Sequence, residues 1–184
     1  MQFGNIDALL LPQKMQPTRA YARCVSLGPG TLTRMYAALW NQLSKLPKGR
    51  WLFSRLVGQK IPYTGSLKAV VLEAEPGFAR VELRDRKAVR NHLDCVHAAA
   101  LMNLAEFASG FALVIGVPDS ARAILTSFRI EYLKKARGTL VAESRCEMPD
   151  FTKDNELELQ AVIKNAQEEV VCRAFATWKV GPRK

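Results

Sequence analysis

The side chains best equipped for chemistry in this sequence are few and scattered. The four cysteines, Cys24, Cys95, Cys146 and Cys172, lie far apart and form no Cys-x-x-Cys pair. With only two histidines, His92 and His97, no zinc signature is available and no metal is expected. Unpaired thiols suit a reducing cytoplasm, which is the expected location. One carboxylate stands out. Glu106 is the one charged residue in the mostly apolar run VHAAALMNLAEFASGFALVIG, residues 96–116. A charge in such company is costly unless it has a partner or a task. A second cluster, Lys134-Lys135-Ala136-Arg137-Gly138, puts three cations beside a glycine. That grouping suits a polyanion, although a solvated basic turn has the same composition.

The formal net charge of +10 points to an anionic partner. The cations nevertheless form no run of five or six, and no aromatic residues interleave them as a stacking platform, so a nucleic-acid module is not expected. The longest uncharged run, residues 107–118, is too short to span a bilayer. Leu9-Leu10-Leu11 lacks a preceding basic region, so no signal peptide is expected either. With 184 residues, 48% of them hydrophobic and 24% charged, the chain fits one folded domain plus an extension.

The elements that must position these residues follow from periodicity. Residues 1–30, with Pro12, Pro17, Gly28, Pro29 and Gly30, read as an irregular arm. Thr31 is the expected N-cap of a helix to about residue 46, with Leu32, Met35, Tyr36, Leu39, Trp40 and Leu43 on one face. A short helix over residues 51–57 should end at Gly58. The aromatic residues Trp40, Trp51, Phe53 and Tyr63 are expected in the core, or else as a cover over a ligand channel. Residues 67–84 alternate as a hairpin turning at Pro76-Gly77, with Val70, Leu72 and Ala74 opposed to Val71, Glu73 and Glu75. The run over residues 96–116 favours helix, and apolar nearly all round it must be buried nearly all round. In a domain this small only a sheet curled about it can do that. Four amphipathic strands follow, beginning with Ile124, Phe128, Ile130 and Tyr132 on one face, and are expected to form an antiparallel meander.

An antiparallel sheet wrapped round one long apolar helix resembles the hotdog fold, an α+β class. The segment Asn91-His92-Leu93-Asp94-Cys95-Val96-His97-Ala98-Ala99 is similar to the Asn-x5-His-Gly-Gly motif of the PaaI-like thioesterases, whose acidic residue nine positions on would be Glu106. The resemblance covers roughly residues 60–180 and suggests a hotdog domain over 60–184 after an arm and helical extension over 1–59. It implies an acyl-CoA thioesterase, with coenzyme A entering as part of the substrate and no separate cofactor. Glu106 would act as base or nucleophile, the Ala98 backbone amide as oxyanion donor, Asn91 to position water or thioester, and His97 to fix the loop or polarise the carbonyl. Lys134, Lys135 and Arg137 would lie near the coenzyme A phosphates.

Nine residues at about 100° each place His97 and Glu106 on opposite sides of the helix, about 13 Å apart along it. One chain cannot bring them together, whereas two antiparallel copies can. A homodimer, or a dimer of dimers, is therefore expected. The departure from the motif is Ala98-Ala99 in place of Gly-Gly, and Gly110 stands where some relatives carry a hydroxyl, with Ser109 a neighbouring substitute. Those alanines keep open the alternative of a non-catalytic acyl-CoA or lipid-binding hotdog protein.

Overall fold

The computed structural model describes residues 29–183. All but the last two residues of the expected N-terminal arm, and Cys24, lie outside them. Helix α4 (Ala98–Val114) is the axis of the fold, and eleven of its 17 residues are buried. Its composition explains why: Ala, Leu and Phe lie on nearly every side, and only the stripe carrying Ala99 and Met102 stays exposed.

The cover is a six-stranded antiparallel sheet. The hairpin of β1 (Val70–Glu75) and β2 (Phe78–Leu83) turns at Pro76-Gly77, where Gly77 has φ 85°, a left-handed conformation that favours glycine. After α4 come β3 (Ala121–Tyr132), β4 (Leu140–Arg145), β5 (Asn155–Lys164) and β6 (Val170–Pro182). The strand order is β1-β2-β4-β5-β6-β3. The last four strands are therefore not a simple meander. Helix α4 carries the chain across the sheet, β3 pairs with β6 at the far edge, and the link over residues 133–139 returns to place β4 beside β2.

Two bulges overturn the simple alternation. In β1 the register shifts between Val71 and Glu73, so Val71 and Ala74 are the buried pair rather than Val70, Leu72 and Ala74. In β3 it shifts between Leu125 and Ser127, so Ile124 pairs with Lys179 and is exposed on the outer face; Tyr132 keeps the face of Phe128 and Ile130 as expected and is exposed at the end of this edge strand.

The first helix runs as α1 (Pro29–Leu43), starting three residues earlier than an N-cap at Thr31 would place it. Proline suits a first turn, where its missing N–H costs no bond. Helix α2 (Gly49–Lys60) passes through Gly58 instead of ending there. The reason is a close crossing with α3 (Pro62–Ser66): a Cβ on Gly58 would come within 2.9 Å of Gly65 Cα, and one on Gly65 would overlap the Gly58 carbonyl oxygen. Tyr36 and Phe53 pack on Phe111 of α4, and Trp40 meets Phe53 edge-on, so α1 and α2 share the main core. Trp51 and Tyr63, in contrast, are exposed, because α2 turns Trp51 outward and α3 lies at the surface.

Candidate active site

The loop leading into α4 is built by Asn91. Its Oδ1 accepts from Leu93 N at 2.9 Å and more distantly from Cys95 N, while its own N–H donates to the Cys95 carbonyl at 2.9 Å. Asp94 takes the left-handed conformation, φ 52°, that closes this turn. Val96 then bonds to the Ala136 carbonyl and His97 N to the Val89 carbonyl, clamping the start of α4 between two segments.

His97 is the N-cap of α4. Its Nδ1 accepts from Ala99 N at 3.0 Å, so that nitrogen carries no proton and Nε2 is the donor. The next amides, of Ala100 and Leu101, bond to the His97 carbonyl. The Ala98 amide meets no acceptor among the described residues. It is a free donor at the positive end of the helix. Neither Ala98 nor Ala99 has a positive φ, so alanine stands here without strain where the motif has glycine.

Asn91 and Ala98 line a groove of about 380 Å³ together with Tyr132, Lys134 and Lys135. Its floor is Val96 and Leu101, and Tyr132 Oη donates to the Ala98 carbonyl at 3.1 Å. Lys134 is paired with Glu169 at 2.7 Å. Arg137 does not line the groove; its guanidinium donates to the carbonyls of Asp94 and Leu93 and so braces the wall. A residue unforeseen from sequence ties these parts together. Asp85, just after β2, accepts from Arg90 Nε at 2.7 Å and from Gly138 N at 3.0 Å. The neighbouring guanidinium, then the amide, hold its carboxyl below the usual range. No spacing rule links positions so far apart in sequence.

Glu106 is not part of this groove. It lies two and a half turns along α4, on a stripe with Ala99 and Met102 that the sheet leaves uncovered. Burial pushes its carboxyl above the ordinary value, and no cation or hydrogen bond opposes that. Close by is Gly110, where a side chain would come within 3.2 Å of the Trp178 ring and 3.7 Å of Glu106 Oε1. Trp178 Nε1 and Asn103 Oδ1 are buried without partners. Ser109 is fully buried and donates to the Glu106 backbone carbonyl, away from the side-chain chemistry. Among the described residues no cluster of His, Cys, Asp and Glu could hold a metal, Cys95, Cys146 and Cys172 are free thiols, and no helix is long and apolar enough to cross a membrane.

The sheet curled about α4 is the hotdog fold. Residues 49–180 match a family model described as a domain of unknown function, DUF4442, and the chain belongs to that family. A structural-genomics protein of solved structure is 30% identical, with TM-score 0.71 over 81% of this chain and 99% of that one. A Pseudomonas aeruginosa protein of unknown function, described as a probable thioesterase, is 20% identical, with TM-score 0.66 over 75% of this chain and 97% of that one. A thioesterase family protein from Silicibacter pomeroyi is 16% identical, with TM-score 0.61 over 71% and 96%. No protein of curated function matches the chain.

Proposed function

We propose that this protein is an acyl-CoA thioesterase whose site is completed between two copies of the chain. One observation carries the reading. Helix α4 leaves two reactive groups unsatisfied, the Ala98 amide at its start and the Glu106 carboxyl farther along, where a single chain keeps them apart. Antiparallel pairing of two α4 helices would set Glu106 of one copy against the groove of the other. The names of the Pseudomonas and Silicibacter neighbours are in keeping with this chemistry.

In the paired site the thioester carbonyl lies over Ala98, whose amide donates to the oxygen as it becomes an oxyanion. Glu106 takes a proton from water, the resulting hydroxide bonds to the carbonyl carbon, and the C–S bond breaks. The coenzyme A thiolate leaves and recovers the proton. Direct attack by Glu106 would instead give an acyl-enzyme anhydride that water then opens. His97 positions the donor by capping the helix, and Asn91 does so by shaping the loop. Lys134 and Lys135 at the groove offer cations to the coenzyme A phosphates.

The test is a panel of short, long and aromatic acyl-CoAs assayed for released thiol. Turnover is expected, with loss in Glu106→Ala and in Asn91→Ala. Refolded mixtures of those two variants should regain about a quarter of wild-type activity, since half the dimers are mixed and each holds one intact site. Recovery absent from the mixture would refute the shared site. Melting shifts with acyl-CoA, without turnover and unchanged by Glu106→Ala, would point to the non-catalytic binding protein instead.

A further inference from the structure

All of the net charge of this chain lies in one stretch. Of its 27 Lys and Arg, ten fall in residues 8–72, which contain no Asp or Glu; the other seventeen balance the 17 acidic residues elsewhere. The described part of that stretch folds as α1, α2, α3 and the start of β1. It also carries unusual apolar exposure. Six of the eleven exposed large hydrophobic side chains among the described residues fall in it: Met35 on α1, and Leu46, Trp51, Leu52, Ile61 and Tyr63 in and around α2 and α3, with Trp51 at 55% and Tyr63 at 72% exposure.

Those in and around α2 and α3 share one surface. Trp51, Leu52, Arg55 and Gln59 fall on the outward arc of α2, by the 100° step of a helix, and Ile61 and Tyr63 follow at its far end. Two surface cavities, of about 440 and 650 Å³, flank this face and share Trp51, Lys68 and Val70. Their linings hold six cations, Lys48, Arg50, Arg55, Lys68, Arg84 and Arg86. The one acid, Glu82, is paired with Arg84 at 3.1 Å.

We propose that the α2–α3 face docks the protein on an anionic lipid bilayer, with α2 lying in the plane of the membrane interface. The pairing of cations with protruding Trp, Tyr, Leu and Ile is what an interfacial helix needs: charge to approach acidic headgroups and apolar tips to enter below them. A free phosphate compound would satisfy the cations and leave the apolar tips in water. A nucleic acid would need open aromatic faces on which to stack, and the Arg55 guanidinium already lies over the Trp51 ring at 5.7 Å. The proposal is independent of the thioesterase reading, because this face contains neither Glu106 nor the Asn91–Ala98 groove.

The test is co-sedimentation of the full-length protein with phosphatidylcholine vesicles, with and without roughly a quarter phosphatidylglycerol. Binding is expected only with the anionic lipid, and raising the salt should release it. Arg50→Gln with Arg55→Gln should weaken it about 25-fold, fivefold per cation. Trp51→Ser with Tyr63→Ser should weaken it roughly tenfold at unchanged charge. All these side chains are exposed, so melting temperatures should match the wild type and exclude misfolding as the cause. Failure to bind anionic vesicles, binding that both double variants retain, or a preference for duplex DNA that vesicles do not displace would each overturn the proposal.

Discussion

Removing the carboxylate of Asp85 should loosen both walls of the groove at once. Arg90, which it holds, directly precedes Asn91; Gly138, whose amide it accepts, directly follows Arg137, and Arg137 in turn holds the Leu93 and Asp94 carbonyls. Only 7% of the Asp85 side chain touches solvent. It is hidden by these partners and not sunk in the core, so water around the Arg90 guanidinium screens that pair and its share is small. The bond to the Gly138 amide is charge-assisted, in the class worth about 1.5–3 kcal/mol. Asp85→Ala should therefore cost about 2 kcal/mol, and in a domain of this size lower the melting temperature by about 4–8 °C. The sign with pH is fixed by the direction of the shift. A carboxyl held below its ordinary value contributes stability above about pH 4, and that contribution is lost as pH falls through the lower folded-state value. Thermal unfolding followed by circular dichroism at pH 7 and at steps into acid would therefore find wild type and variant converging as the acid is strengthened. Asp85→Asn, which keeps an acceptor for Gly138, should fall between them. A variant that melts within about 1 °C of wild type at pH 7, or a gap that persists in strong acid, would refute the bracing role.

Two further substitutions separate stability from chemistry. Glu106→Gln should abolish most turnover, by about 100-fold or more, while stabilising the fold at neutral pH by about 1 kcal/mol. The sign follows from burial: a carboxyl pushed up must carry an unfavourable charge above its ordinary range, so the advantage of glutamine should vanish as pH falls through that range; denaturant titration at pH 7 and pH 4 checks both limbs. His97→Ala should cost about 1 kcal/mol through loss of the α4 cap, with His97→Asn recovering most of it in the same unfolding assay.

Much of this architecture is legible in the residues because burial is periodic. Helix α4 is apolar all round, and only a surrounding sheet satisfies that pattern; the Pro76-Gly77 turn and the alternation in β5 and β6 supply such a sheet. What periodicity does not carry is the single residue that resets it. The bulges at Leu72 and Thr126 exchange the faces of β1 and β3, and Gly58 reads as a stop although its use is to let α3 approach. The long-range ties of Asp85 and the return of β4 to β2 depend on chain path, which local spacing leaves open. Glu106 was legible for the opposite reason, as the one charge in a mostly apolar run, and the structure adds its surroundings. Asn103 and Trp178 place two further polar atoms, buried and unpartnered, beside the same length of helix. Each such group costs free energy when left unpaired. Of these groups only Glu106 stands on the stripe that the sheet leaves uncovered, so it alone can be met by a polar partner from outside this chain, as the proposed site shared between two copies requires.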